Sequence, residues 1–210
     1  MSRITLDSKC RLCRAAGTKL FLKGARCLSS KCPIEKKGAV PPGMHGIKRV
    51  KKHTDYGIQL RAKQKAKRIF GIQETQFKNY YLKAKTLKGL VGDVLMNLIQ
   101  KRLDNVIYEA GLSLSRSHAK QIISHGHVLV NDKVMDISSY SVKPKDVITL
   151  DQDTIAKHSE DMRLADKDFK AASWLELNKT KHSVSILTDP TKENVSQEID
   201  VNLIIEYYSR

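Results

Sequence analysis

The chain lacks any apolar run approaching the roughly 20 residues that a membrane-spanning helix needs. Its first ten residues, MSRITLDSKC, hold no apolar core of a secretory signal and leave little room for a transit peptide. The expectation is a cytoplasmic protein with reduced thiols and no membrane partner. Acidic residues are scarce over the first half: residues 1–98 hold 5 Asp/Glu against 23 Lys/Arg. Cysteine is absent after position 32. Nucleophile–base pairs, a Gly-rich phosphate loop and paired carboxylates with supporting context are missing too. No enzymatic activity and no small-molecule substrate are expected.

What remains is a polyanion-seeking composition. The 210 residues suit one large domain or two small ones, and either can bury a core. Lys plus Arg is 38 against 22 for Asp plus Glu, a net charge of +16. Residues 99–150 hold 7 basic and 5 acidic residues, and residues 151–210 hold 8 and 12. A merely solubilising surface would mix the signs. Charge concentrated in the first half points to nucleic acid.

All four cysteines, Cys10, Cys13, Cys27 and Cys32, lie within 23 positions, spaced C-x2-C, thirteen residues, C-x4-C. Two close pairs joined by a loop match a tetrahedral thiolate site, each pair forming a knuckle. Basic neighbours (Lys9, Arg11, Arg14, Arg26, Lys31) would favour the thiolates. Structural Zn2+ is the first reading; an iron–sulfur cluster uses the same ligands, and bare thiols are the bland alternative. A redox CxxC is disfavoured because no βαβ pattern surrounds Cys10 and Cys13.

Val40-Pro41-Pro42-Gly43-Met44-His45-Gly46 is a stiff linker or fixed turn. His45 either donates to a phosphate or packs in that turn. The run Ile47 to His53 is basic through Lys48, Arg49, Lys51 and Lys52. A helix capped by Thr54 or Asp55 and ending at Phe70-Gly71 carries a basic face with Arg61, Lys65, Lys67 and Arg68. A second helix spans about Glu74 to Leu87. Its Phe77, Tyr80, Tyr81 and Ala84 fall at helical spacing and read as core rather than as base-stacking platforms. A third pattern runs from Val91 to Leu98.

Arg102 to Lys133 organises the rest. Leu103, Val106, Ile107 and Ala110 predict a helix ended by Gly111. Ser115 predicts the N-cap of the next, which ends at Gly126. Its Arg116 and Lys120, four apart, share an expected exposed face, and its N-terminus favours phosphate. Val128 and Val130 lie on one side of a strand, Asn131-Asp132 turns into Lys133-Val134, and a strand from Asp146 to Leu150 follows Pro144-Lys145. His125 and His127 are either strand-end surface residues or donors to phosphate and ribose 2′-hydroxyls.

Residues 151–170 read as an edge helix or connector. Trp174 reads as a core anchor; Leu175, Leu177, Val184, Ile186 and Leu187 predict two strands. After Asp200 as N-cap, Val201, Ile204, Ile205 and Tyr208 form an apolar helical stripe. Residues 72–98 are its expected partner, so the central module would be an insertion.

The stretch RLDNVIYEAGLSLSRSHAKQIISHGHVLVNDK resembles the RNA-binding module named after the small ribosomal subunit protein four family. RCLSSKCPIEKKGAVPPGMHG, TDYGIQLRAKQKAKRIFGIQETQFKNYY and VNLIIEYYSR extend the resemblance to that family nearly end to end. It implies a structural constituent of the small ribosomal subunit that binds the 5′ domain of 16S rRNA as a primary binder and nucleates assembly. It also implies a position near the channel through which mRNA enters, beside ribosomal protein five, and an influence on translational accuracy. Some members repress their own operon or assist antitermination. Carried over by position, the module's RNA-facing candidates are Arg102, Arg116, Lys120, His125, His127 and Asn131. Zinc ligands of cysteine-bearing members match Cys10, Cys13, Cys27 and Cys32; other members lack them. Two departures stand out. Asn131-Asp132 replaces the usual Asn-Gly, so a looser hairpin is expected, and Lys145 stands where glycine is common.

The expected fold class is α+β. A metal-knuckle segment and linker (1–45) and a small helical domain (46–98) precede an inserted RNA-binding module of short helices on a small twisted antiparallel sheet (99–165). A strand pair and returning C-terminal helix follow (166–210). RNA-modifying enzymes that carry the same module need a separate, sizeable catalytic domain, and none is expected in this chain. A zinc-dependent transcription or translation regulator differs in partner rather than in chemistry.

Overall fold

The structure, a computed structural model, describes residues 8–46, 53–158, 169, 171–178, 182–190 and 199–210. Lys48, Arg49 and most of residues 151–170 beyond His158 lie outside them. The chain forms two compact units: Met1–Gly92 with Ser196–Arg210, and Asp93–Val195. The first two segments form one unit with the C-terminal helix, and the strand pair joins the central module. Among the described residues the helices are α1 (Lys9–Ala16), α2 (Ala25–Leu28), α3 (Pro33–Lys37), α4 (Asp55–Phe70), α5 (Glu74–Thr86), α6 (Val91–Gln100), α7 (Leu103–Glu109), α8 (Arg116–Ser124), α9 (Gln152–His158) and α10 (Val201–Ser209). The strands are β1 (Val128–Val130), β2 (Lys133–Val134), β3 (Val147–Leu150), β4 (Leu175–Asn178) and β5 (Ser183–Ile186).

The first unit is built on α4. Thr54 caps it, its hydroxyl accepting from the Gly57 N–H at 3.2 Å. Gly71, with φ of 61°, ends it in the left-handed region that a side chain resists. Gln59, Lys63, Ala66, Ile69 and Phe70 form its buried face. Helix α10 starts at Asp200, whose carboxylate accepts from the Asn202 and Leu203 N–H groups. It packs chiefly along α4 rather than only on residues 72–98. Tyr208 nevertheless stacks on Tyr81 and Phe77 of α5, with ring centroids 4.8 and 6.2 Å away. At Gly92 a Cβ would stand 2.9 Å from the Val201 side chain, so glycine permits that close approach. Phe77, Tyr81 and Ala84 are buried, as their spacing predicts for core. Each large apolar side chain buried this way contributes about 1.5–3 kcal/mol.

In the second unit one sheet runs in the order β2-β1-β3-β5-β4, with every pairing antiparallel. Val128 and Val130 face inward, and the α7–α8 pair covers a core with Ile107, Ile123, Ile148 and Val184. Trp174 anchors the same core. The two-residue loop of the β1–β2 hairpin holds Asn131 at φ 51° and Asp132 at φ 63°, the pattern of a type I′ turn. Asp132 thus sits where glycine is easiest. Lys145, at φ 75° after Pro144, gives residues 143–146 the signature of a type II turn, closed by the Asp146 N–H on the Lys143 carbonyl at 3.1 Å. Asn131 links the two turns. Its amide donates to Asp146 (2.9 Å) and its oxygen accepts from the Val147 N–H (2.9 Å). This offsets part of the cost of the missing glycine.

Candidate nucleic-acid interface

Among the described residues, two settings hold most of the basic RNA-binding candidates. On α4, Arg61, Lys65 and Arg68 recur at i, i+4 and i+7, on the side away from Gln59, Lys63, Ala66 and Phe70. Arg61 is exposed, and Lys65 and Arg68 are partly so. Lys67 departs from this row, since its ammonium pairs with Glu74 at 3.1 Å. Glu74 also holds Lys63 at 2.7 Å and accepts from the Tyr208 hydroxyl at 2.9 Å. Burial alone would raise the Glu74 carboxyl; the bonds from Lys63, Tyr208 and Lys67 outweigh it and hold the pKa below its ordinary value. Lys63 lies 4.1 Å over the Tyr207 ring, so this lysine packs rather than reaching outward. His45 is exposed in the turn closed by the Gly46 N–H on the Gly43 carbonyl.

The second setting is the α7–α8 corner. Ser115 caps α8, its hydroxyl accepting from the His118 N–H. Arg102, an RNA-facing candidate by resemblance, is only 2% exposed. Its guanidinium donates to both carboxylate oxygens of buried Asp104, at 3.0 and 2.6 Å. The expected exposed face of Arg116 and Lys120 is corrected, because that side of α8 packs on α7. Arg116 donates to Asn105 (2.8 Å) and Glu109 (2.7 Å) and lies 4.1 Å over the Tyr108 ring. Lys120 stands 3.4 Å from Asp104. Burial lowers the Lys120 pKa, and Asp104 opposes that shift. One buried carboxylate thus holds two cations, with a third braced alongside, in a fixed array. Spacing did not reveal Asp104, because its partners lie two and sixteen residues away and share no helical face with it.

His125 and His127 lie at the α8–β1 junction, with ring centroids 6.0 Å apart. His125 is exposed, and Nδ1 of half-buried His127 is 3.9 Å from Asp151. Asn131 is exposed as a residue, but its amide is committed to the two turns.

The expected knuckle form of the N-terminal segment is not shown. Cys10 and Cys13 lie within α1, Cys27 within α2, and Cys32 is the N-cap of α3. All four are free thiols, and three are buried. Burial pushes the Cys13 thiol up, and the other three cysteines are near enough to add to that shift. The donor set suits a thiophilic cation in kind. As arranged, however, no group of three or more His, Cys, Asp or Glu among the described residues could hold a metal ion. Among those residues, no helix is long and apolar enough to cross a membrane.

Comparison with known proteins bears on both settings. The family model described as ribosomal protein S4/S9 N-terminal domain matches residues 5–100, and that described as S4 domain matches residues 101–148. Small ribosomal subunit protein uS4 of Natranaerobius thermophilus is 42% identical over 96% of each chain. The proteins of that description from Clostridium botulinum (strain Eklund 17B) and Dictyoglomus turgidum are 44% and 45% identical over the full length of each chain.

Proposed function

The chain belongs to the small ribosomal subunit protein uS4 family, and from that premise we propose that it binds the 5′ domain of 16S rRNA and nucleates small-subunit assembly. The protein is structural and non-enzymatic. It works in the cytoplasm as part of the ribosome, near the channel through which mRNA enters and beside ribosomal protein five, where it influences translational accuracy.

The observation that carries the reading is the division of cationic labour. The α4 face supplies phosphate neutralisation and counterion release, so affinity falls steeply with salt. The α7–α8 corner holds the partly exposed Arg116 and Lys120 at fixed separations, suited to the shape of folded RNA rather than to its sequence. A filter-binding titration with a 16S 5′-domain transcript tests this, using Arg116→Ala/Lys120→Ala. Weaker binding is expected. Because both side chains brace α7, amide exchange must accompany the titration, and unchanged binding would remove them from the site. Co-sedimentation is expected with small subunits; a protein confined to light fractions would sink the ribosomal assignment.

We also propose that Cys10, Cys13, Cys27 and Cys32 take Zn2+, which as a d10 cation imposes no redox chemistry and accepts four thiolates. The spacing, the free thiols and the burial of three of them support this. Metal analysis of protein purified under reducing conditions is expected to find one zinc per chain. Iron in its place would mark a cluster, and neither metal would remove the site.

A further inference from the structure

A cavity of about 610 Å3 opens in the N-terminal segment, between α1, α3 and the Pro41–Gly43 turn. Five of its lining residues are cations, Arg14, Arg26, Lys31, Lys36 and Lys37, and no carboxylate lines it. The acidic residue of α3, Glu35, pairs instead with Lys19. Arg14 is fixed in the wall: Nε donates to the Val40 carbonyl at 2.8 Å and a terminal nitrogen to the Pro41 carbonyl at 3.0 Å. These bonds use two of its five N–H donors and orient the guanidinium plane. Lys36 and Lys37 stand in the last turn of α3, where the helix dipole favours cations. Like charges around one concavity repel each other, and a multiply charged anion relieves that repulsion. The volume exceeds what a single phosphate fills and falls within the range of small-molecule sites.

We propose that this cleft is a discrete site for a chain of phosphates, separate from the diffuse attraction of the α4 face. Two sources share that chemistry: consecutive phosphates of an RNA strand and the polyphosphate of a free nucleotide. The proposal does not rest on ribosomal RNA binding, so either can fail without the other.

The test is isothermal titration of the full-length, reduced protein with inorganic tripolyphosphate at constant ionic strength. One saturable site is expected. Lys36→Gln/Lys37→Gln, at exposed positions, is expected to weaken it by about tenfold or more, since bonds between charged groups are the strong ones. Lys83→Gln/Lys85→Gln, also exposed and equal in charge change, is expected to leave it within about twofold by the same rule for surface charges. Equal weakening by both pairs, or no saturation, overturns the proposal, because diffuse attraction depends on net charge alone. Repeating the titration with a nucleoside triphosphate and with a short unstructured RNA, each against bound tripolyphosphate, separates the sources. Competition by the nucleotide assigns a free ligand, whereas competition by the RNA alone makes the cleft part of the RNA-binding surface already proposed and overturns a separate site. Competition by neither overturns the proposal.

Discussion

The two units solve opposite electrostatic problems with the same residue types. The unit of residues 1–92 and 196–210 carries 24 Lys/Arg and 7 Asp/Glu, whereas residues 93–195 carry 14 and 15. In the first, the Arg61, Lys65 and Arg68 row faces away from the packed side of α4, and most of the unit's charge has no acid to balance it. In the second, the cations of α8 and the α7 N-terminus are wired to Asp104, Asn105 and Glu109. Surplus charge attracts at a distance and is screened by salt; wired charge contributes little at a distance but has a defined geometry. A basic residue's job is therefore set by its counter-charge, not by its own identity.

Removing the counter-charge is the strongest way to break this comparison. Asp104→Ala removes the carboxylate that holds the buried Arg102 guanidinium through both its oxygens, and is expected to destabilise residues 93–195 by about 3–5 kcal/mol. Hydrogen exchange should show the loss in α7 and α8 and leave α4 and α10 protected. Equal loss in both units would show that they are not energetically distinct. Next in size, Arg61→Ala/Lys65→Ala/Arg68→Ala is expected to make the salt dependence of RNA binding shallower by about two to three log units per log unit of salt. Affinity falls with little change in melting temperature. An unchanged slope would mean that α4 does not face RNA.

A smaller effect sharpens the account of the second unit. Asp132→Gly places the preferred residue at φ 63° and is expected to stabilise the hairpin by about 0.5–1 kcal/mol, read by urea denaturation. Destabilisation would show that the Asp132 side chain contributes something the turn geometry does not. The smallest effect is in pH. The folded Glu74 pKa lies below its ordinary 4.5, so its contribution is full above that value and is lost as pH falls through the lower folded value. Lys120 acts on the other side. Its folded pKa lies below the ordinary 10.5, so between the two values the unfolded chain binds more protons, and stability rises with pH. Glu74→Gln is expected to flatten the acid limb for α4 and α10 while leaving α7 and α8 unmoved, as amide exchange would record.

Local patterns were legible wherever a single element decides the outcome. Thr54, Ser115 and Asp200 cap helices as their positions suggest, because a cap needs only the next three N–H groups. The Asn131-Asp132 turn, the inward Val128 and Val130, and the core roles of Phe77 and Trp174 follow from spacing in the same way. The family, too, was legible from its quoted stretches. Arg116 and Lys120 were expected on an exposed face because helical spacing identifies a side chain's neighbours on its own element, not the carboxylate that another element brings. The cysteine spacing suggested knuckles, yet Cys10 and Cys13 stand within a helix. C-x2-C fits either form, because residues three apart share a helical face as readily as a tight loop.

By itself, then, the sequence determined the family, the element types, the caps and turns, and the excess of positive charge in the first half, since each depends on residues close together in the chain or on composition. Only the tertiary structure decided that α10 lies along α4, that β4 and β5 extend the central sheet, and that Asp104 gathers Arg102 and Lys120. Those outcomes depend on burying apolar faces and buried charges against partners distant in sequence, and the partner is fixed by packing in three dimensions rather than by any period along the chain.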